Sequence, residues 1–271
     1  MPASAAGASG WDCHVHVFDG RAVAPGAHYQ PPERTLPQIE DTARAYGCSH
    51  LVLVQPSVYG SDNTLLLQAL GREPNRHRGV VVLDGEESDA ELEAMHALGV
   101  RGVRFNLVSP VGSAVGRTES LLLERLAPRL HRLGWHVQWY VHPELLPRLA
   151  AWQARCGLRF VLDHLAGLTP AHAQDAATGT GLQQLAAAGA WIKASGWYRL
   201  QARPPYASLH PLVRELADLF AGRMVWGSDW PHTSFPPQAL PAYESVRRPL
   251  TDALGEARAL RVLSAGAALY A

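Results

Sequence analysis

The sequence predicts an α/β fold, a distorted (β/α)8 barrel of the TIM type, on three observations. Eight short β-rich runs alternate with amphipathic stretches, an order typical of a parallel sheet covered by helices. His16 in the first run and Asp229 after the eighth are separated by about 30 residues per interval, the size of one βα repeat. The 271 residues of the chain are also close to the length of one barrel, so we predict a single domain over residues 1–271.

The predicted elements follow one another along the whole chain. Strands are predicted over Trp11–Val17, His50–Val54, Gly79–Leu83, Gly102–Phe105, His136–Val141, Arg159–Leu162, Ala190–Ala194 and Arg223–Trp226. Helices are predicted over Leu36–Tyr46, Asn63–Arg72, Ala90–Leu98, Leu121–Leu133, Pro143–Ala154 and Leu209–Ala221, and further helices within Ala239–Ala271. Ser88 followed by Glu91 matches a capping box at the start of the third helix, and Gly99 is placed to end it.

Composition narrows the possible partners and the compartment. The chain has 24 basic and 24 acidic residues and no basic stripe, which argues against nucleic acid and anionic membranes as partners. No apolar run reaches the roughly 20 residues of a membrane span. The three cysteines, Cys13, Cys48 and Cys156, lack metal-type spacing and fit reduced thiols, so we expect a cytoplasmic protein. The sequence gives no indication of the oligomeric state.

Polar side chains accumulate where the predicted strands end. In a barrel of this type the active site lies at the C-terminal ends of the strands, so these residues are expected to face one another. Every predicted strand except the third ends near several polar groups. They are His14 and His16, Ser57, Arg104 and Asn106, Tyr140 and His142, Asp163 and His164, Lys193 and Ser195, and Asp229. This accumulation predicts an enzyme.

Three imidazoles and one carboxylate form the predicted centre. His14 and His16 are two residues apart on a strand, so both face the interior of the barrel, and Cys13 between them is expected to point outward. His164 follows an apolar run, and its neighbour Asp163 is expected to point away, into a salt bridge or a helix cap. Hydrogen-bonded core histidines and an N-cap role for Asp229 are the structural alternatives.

Two chemistries are open to this centre. His14, His16, His164 and Asp229 could bind one divalent metal such as zinc and activate water on it. Without a metal, Asp229 could deprotonate water while the histidines polarise a carbonyl group. His142 is the best candidate for an additional ligand if a metal is present.

The motifs in this chain resemble the amidohydrolase-related (family 2) branch of the amidohydrolase superfamily. They are similar to those of the 2-pyrone-4,6-dicarboxylate lactonases over nearly the whole chain. The motifs are DCHVHVF, VQPSVYGSDN, GVRGVRFN, GWHVQWYV, VLDHLAG, WIKASGWYRL and VWGSDWPHT. The resemblance implies a distorted amidohydrolase-like barrel that hydrolyses a lactone of a small anionic, carboxylated substrate without a bound metal. The alternative is a metal-dependent amidohydrolase or decarboxylase on the same barrel.

The resemblance also implies roles for individual residues. Asp229 would activate water, and His14, His16 and His164 would polarise the scissile carbonyl. The residues implied to bind substrate carboxylates are Tyr29, Ser57, Arg104, Tyr140 and Arg199. The chain departs from the lactonase pattern at Pro110, where a second arginine is expected, so a lactone other than 2-pyrone-4,6-dicarboxylate is possible.

Two cationic residues, Arg104 and Lys193, each have more than one candidate partner. Arg104 could bind a substrate anion or form a structural ion pair with Asp84. Lys193, the one lysine in the sequence, needs a carboxylate partner if it is buried, and Asp163 and Asp229 are the candidates. A carbamylated lysine that bridges metals is disfavoured, because elsewhere in the superfamily that residue lies on an earlier strand.

Overall fold

Eight parallel strands form one sheet in which each strand pairs with the next along the chain. The structure is a computed structural model that describes residues 10–21, 23–27, 29–109 and 117–271, so Pro110 lies outside the described residues. The strands are β1 (Gly10–Val15), β2 (Cys48–Val54), β3 (Arg78–Val81), β4 (Val100–Asn106), β5 (His136–Tyr140), β6 (Phe160–Leu162), β7 (Trp191–Ala194) and β8 (Met224–Trp226). All eight predicted strands are confirmed, and their ends differ from the prediction by at most two residues.

Helices separate the strands and cover the sheet. They are α1 (Leu36–Ala45), α2 (Thr64–Arg72), α3 (Asp89–Ala97), α4 (Arg117–Leu133), α5 (Leu146–Cys156), α6 (Ala176–Ala187), α7 (His210–Leu219), α8 (Tyr243–Leu254), α9 (Glu256–Ser264) and α10 (Gly266–Tyr270). The capping box at α3 is present, since Ser88 Oγ accepts from Glu91 N and Glu91 Oε2 accepts from Ser88 N. Among the described residues, no helix combines the length and the apolar character needed to cross a bilayer.

One helix, α6, is absent from the helices predicted from the sequence. Its sequence AATGTGLQQLAA contains two glycines and two threonines, which are weak helix formers. Gly181 is nevertheless required, because a Cβ atom there would lie 2.5 Å from the backbone nitrogen of Pro147 in α5. The residue that weakens the helical pattern is therefore the one that lets α6 approach α5.

The barrel closes between β1 and the segment that follows β8. The backbone nitrogen of Asp229 donates to the carbonyl oxygen of His14 over 2.9 Å, and His16 N donates to the carbonyl oxygen of Trp230 over 2.9 Å. These two bonds continue the parallel ladder beyond the end of β8. The seam of the (β/α)8 barrel therefore fixes the backbone of three predicted catalytic residues.

Apolar side chains fill the lower part of the barrel interior. They are Trp11, Cys13, Val52, Val54, Val80, Val161, Trp191, Val225, Leu269 and Tyr270. The last two belong to α10, whose Tyr270 carbonyl accepts a hydrogen bond from Arg78 at the start of β3. α10 therefore covers the end of the barrel where the strands begin, opposite the strand ends that carry the predicted site.

Strand β1 is irregular at the point where it enters the candidate site. Its pairing with β2 shifts between Asp12 and Val15, so β1 advances by one residue more than its partner, as in a β-bulge. Cys13 and His14 consequently both reach the barrel interior although they are consecutive. The expectation that Cys13 points outward is therefore wrong.

Candidate active site

The four predicted catalytic residues meet at the open end of the barrel, and all four are buried. His14 and His16 lie at the end of β1, His164 follows β6 and Asp229 follows β8. Asp229 Oδ1 is 3.7 Å from His14 Nε2 and 3.6 Å from His16 Nε2. The ring of His164 lies 4.9 Å from that of His14. Residues distant in sequence are thus close enough to act on one bound group.

Hydrogen bonds at the Nδ1 atoms orient two of the imidazoles. His16 Nδ1 is 2.7 Å from the carbonyl oxygen of Val54, which can only accept, so Nδ1 carries the proton and Nε2 presents a lone pair. His164 Nδ1 is 2.9 Å from the hydroxyl of Ser195. Burial lowers the pKa of His164 to about 4, so this imidazole is neutral at neutral pH.

Asp229 is held by two side chains that follow β7. Its Oδ2 accepts from Tyr198 Oη over 2.6 Å and from Arg199 Nε over 2.7 Å, while Oδ1 faces the histidines. Burial would raise the pKa of Asp229, but Arg199 and His164 lower it further, so that it lies well below its usual range. Arg199, predicted to bind substrate, therefore already contacts the predicted base. Tyr198 was missed, and its only sequence signal is its position beside Arg199 in the motif GWYRL.

Buried atoms without hydrogen-bond partners mark this centre as a ligand site. Within the described residues, both ring nitrogens of His14, Asp163 Oδ1 and Asp229 Oδ1 are buried and lack a hydrogen bond. Buried polar atoms in native proteins are nearly always satisfied, by water or an ion if not by protein. His14, His16 and Asp229 each offer a donor atom within 4.8 Å of the others. Two imidazoles and a carboxylate are a donor set that fits zinc.

The surrounding charges favour an anion in the same space. Arg104 and Lys193 lie beside Asp163, and Arg199 contacts Asp229, so three cationic side chains oppose two carboxylates around the histidine cluster. A bound carboxylate would neutralise the excess, whereas a divalent cation would add to it. A second possible ligand group, His14 with Asp163 and His164, fits a cation less well because two cationic side chains contact Asp163, whereas one contacts Asp229.

All five predicted substrate-binding residues line one cavity of about 40 Å³. Its wall is formed by His16, Tyr29, Pro56, Ser57, Arg104, Asn106, Ser109, Tyr140, Arg199 and Thr233. The guanidinium carbons of Arg104 and Arg199 lie 5.6 and 5.9 Å from the ring centre of Tyr140. Both cations are therefore positioned by the same aromatic ring.

Arg104 does not pair with Asp84, the structural partner that the sequence suggested. Its Nε donates to Asp163 Oδ2 over 3.3 Å, and its Nη1 donates to the carbonyl oxygen of Gln55 over 3.3 Å. Asp84 lies at the protein surface, where its carboxylate accepts from Glu86 N. Asp163 points into the barrel, so the expectation that it points away is wrong. The cause is His164, whose φ of +50° interrupts the alternation of side chains after β6.

A larger cavity of about 250 Å³ adjoins the first and shares Tyr140 and Arg199 with it. His164 and His142 also line this cavity. His142 is exposed and belongs to neither group of possible metal ligands among the described residues. The small and large cavities thus lie on opposite sides of Tyr140 and Arg199.

Two glycines leave room for His14 and His164, two of the predicted catalytic residues. A Cβ atom on Gly196 would lie 2.5 Å from His164 Nδ1, and one on Gly227 would lie 2.6 Å from the Cβ of His14. Real Cβ atoms do not approach other atoms so closely, so a larger residue at either position would displace an imidazole. Gly196 also has a φ of +59°, which L-residues rarely adopt.

Buried imidazoles predict that acid weakens the fold. Burial lowers the pKa of His136 to about 3 and of His164 and His232 to about 4, below the ordinary 6.5. The unfolded chain therefore binds more protons between pH 6.5 and 4, and stability falls as pH falls through this window. Asp12 has the opposite effect on stability. Burial raises its pKa to about 6, so the folded chain binds its proton more readily than the unfolded chain does. We expect urea titrations to show the free energy of unfolding lower by roughly 2–5 kcal/mol at pH 4.5 than at pH 7. Equal stability at both pH values would contradict this.

The family is decided by comparison with known sequences. Residues 11–264 match the family model described as Amidohydrolase. The chain belongs to the amidohydrolase family. The family inferred from the sequence motifs is therefore confirmed, and the match spans every strand from β2 to β8 and most of β1.

Relatives of this amidohydrolase include lactone hydrolases. It is 32% identical over 237 residues to a 4-sulfomuconolactone hydrolase of Rhizobium radiobacter, covering 85% of this chain and 79% of the relative. It is 30% identical over 241 residues to a 2-pyrone-4,6-dicarboxylate hydrolase of Comamonas testosteroni, covering 82% and 76%. A crystal structure from Acinetobacter baumannii, described as a probable 2-pyrone-4,6-dicarboxylic acid hydrolase with citric acid bound, superimposes with a TM-score of 0.85. It shares 26% identity and covers 97% of this chain and 99% of that one.

Proposed function

We propose that this amidohydrolase is a cytoplasmic, single-domain enzyme that hydrolyses the lactone of a small carboxylated substrate such as 2-pyrone-4,6-dicarboxylate. The main support is that one cavity places His16 of the histidine cluster beside the cation Arg104. The lactone hydrolases among its relatives support the same reaction class. The excess of positive charge around the interior fits an anionic substrate.

The cavity volumes suggest how such a substrate binds. A space of about 40 Å³ holds little more than a water molecule or a carboxylate group. We place a substrate carboxylate there, against Arg104, with the hydroxyls of Ser57 and Tyr29 as further donors. Burial raises the pKa of Tyr29 to about 12, so its hydroxyl stays protonated. The lactone ring then extends past Tyr140 and Arg199 into the larger cavity.

The proposed reaction begins with a water molecule between the acceptor atoms of the centre. Asp229 Oδ1 and His16 Nε2 are 3.6 Å apart, and both present lone pairs that accept from one water. Asp229 takes a proton as the water oxygen attacks the lactone carbonyl. If Ser195 donates to His164 Nδ1, the His164 proton lies on Nε2 and stabilises the developing oxyanion. Collapse of the tetrahedral intermediate breaks the ring C–O bond, the proton held on Asp229 passes to the departing ring oxygen, and the open-chain acid is released.

A metal-dependent hydrolase or decarboxylase is the second candidate function. It is favoured by the convergence of unpartnered acceptor atoms from His14 and Asp229 beside the lone pair of His16. These three residues would hold the ion. A zinc ion bound there would supply Lewis acidity and lower the pKa of a coordinated water.

A substrate panel combined with chelation tests the proposal. Protein dialysed exhaustively against a chelator would be analysed for metals and assayed on pyrone and muconolactone-type carboxylated lactones. We expect the metal-free protein to hydrolyse at least one of them to the open-chain acid. Activity that is lost on chelation and restored by zinc would contradict the metal-free reaction and support the second candidate. Release of carbon dioxide in place of ring opening would indicate a decarboxylase.

A further inference from the structure

Asp163 contacts both Arg104, which lines the small cavity, and His14 of the histidine cluster. It directly follows β6, and its backbone nitrogen donates to the carbonyl oxygen of Trp139 in β5. Its side chain is fully buried in the barrel interior. The proposed hydrolysis assigns no role to this carboxylate, although it adjoins both the anion-binding and the carbonyl-facing residues.

Both oxygens of Asp163 contact residues of the site. Oδ2 accepts from Arg104 Nε over 3.3 Å and from Gln138 Nε2 over 3.0 Å. Oδ1 lies 3.3 Å from His14 Nδ1 and 3.6 Å from Lys193 Nζ. One carboxylate thus links the cation that lines the small cavity to the imidazole that faces Asp229.

Lys193 keeps this carboxylate in place. Its ammonium group is fully buried and donates to Gln138 Oε1 over 2.7 Å and to the carbonyl oxygen of Cys13 over 2.9 Å. Arg104 Nε at 3.3 Å and Lys193 Nζ at 3.6 Å place two cationic groups against the Asp163 carboxylate, which favours its ionised form. An ionised Asp163 can only accept hydrogen bonds.

The distances around His14 indicate which ring nitrogen carries its proton. Nδ1 is 3.3 Å from Asp163 Oδ1, whereas Nε2 is 3.7 Å from Asp229 Oδ1. Hydrogen bonds from Arg104 and Gln138 to Oδ2 also hold the Asp163 carboxylate in place. A proton on Nδ1 therefore faces Asp163 and leaves the Nε2 lone pair toward the water site, the tautomer that the buried aspartate of a catalytic triad selects.

We propose that Asp163 is a positioning residue that holds His14 in the Nδ1–H tautomer and fixes Arg104 for the substrate anion, with Lys193 as its counter-ion. Its place in catalysis rests on the proposed lactone hydrolysis, whereas the tautomer of His14 does not. Asp163 acts through His14 and Arg104 and does not itself contact the substrate.

The test combines kinetics with nitrogen NMR on the full chain. In protein labelled with ¹⁵N-histidine, long-range ¹H–¹⁵N spectra distinguish protonated from unprotonated ring nitrogens, and a His14→Asn variant assigns the signals. We expect Nδ1 of His14 to be protonated in the parent protein. In Asp163→Asn the amide can donate to Nδ1, so the proton moves to Nε2 and kcat falls by at least about 100-fold.

Two further variants separate positioning from folding. Asp163→Asn leaves the buried Lys193 without its counter-ion and could therefore fail to fold. In that case the double variant Asp163→Asn, Lys193→Met is measured in its place. We expect the double variant to fold but to keep the low kcat and the altered tautomer. Glu40→Gln is the matched control, because Glu40 bonds His77 over 2.8 Å outside the barrel interior, and it should change neither readout.

The outcomes distinguish the two proposals. An unchanged His14 tautomer in folded Asp163→Asn, or a double variant with the parent kcat, would overturn the role of Asp163. If the parent protein hydrolyses no lactone, the proposed function fails, while the NMR comparison still decides whether Asp163 sets the tautomer.

Discussion

The Asp229→Asn variant is expected to lose catalysis almost completely, with kcat about 10³- to 10⁴-fold below that of the parent. The amide cannot take the proton from the attacking water, and its NH2 group would compete for the lone pair on His16 Nε2. Arg199 and Tyr198 keep a carbonyl oxygen to bond, so the fold should survive. Steady-state hydrolysis of a confirmed lactone, with circular dichroism to check folding, measures the effect.

Asp218→Asn is a suitable control for this experiment. Asp218 pairs with Arg258 on the outer surface, between α7 and α9, so its replacement makes the same chemical change away from the site. Its kcat should equal that of the parent. Full turnover by folded Asp229→Asn would exclude Asp229 as the base and leave the histidines as the candidate bases.

Replacing Arg104 should separate substrate binding from catalysis. Arg104→Met removes the cation from the small cavity but leaves Asp163 beside Lys193, so the barrel interior keeps a neutral pair. Loss of a buried, hydrogen-bonded charge pair weakens binding by roughly 2–5 kcal/mol, so KM for a carboxylated lactone should rise about 100-fold or more. An uncharged lactone has no carboxylate for Arg104 to bind, and its KM should change little.

Arg101→Met provides the comparison on the same strand. Arg101 lies near the start of β4, at the opposite end of the barrel, where it donates to backbone carbonyls. Its replacement should leave both KM values unchanged. If Arg104→Met raised KM equally for charged and uncharged lactones, Arg104 would be a structural residue and the anion site would lie elsewhere.

The barrel could be predicted because its strands are local apolar runs that sequence shows directly. β2 ends in LVLV and β6 is FVL, and each is buried as a strand in the sheet. The strand boundaries were less exact, because pairing with neighbours extends or shortens them. α6 was missed because the glycine needed for its contact with α5 also weakens the helical pattern.

For the site, the sequence predicted which strand ends carry the residues but not how the side chains contact one another. Sequence placed His14, His16, His164 and Asp229 at one end of a barrel, and the structure brings them together. It could not give their partners, because these depend on backbone conformations that sequence patterns do not show. His164 and Asp229 have positive φ values of +50° and +62°, which redirect the chain after β6 and β8. The pairing of Tyr198 with Asp229 and of Asp163 with Arg104 follows from such turns.

Gly196 and Gly227 limit how this protein could be engineered. A library aimed at new lactones can vary the residues that line the larger cavity, since His142 and Gln201 there are exposed and have room to change. The two glycines should be left out of any such library, because even alanine would collide with His164 or His14 of the proposed site. Selectivity can therefore be evolved at the mouth of the barrel, whereas positions 196 and 227 must remain glycine.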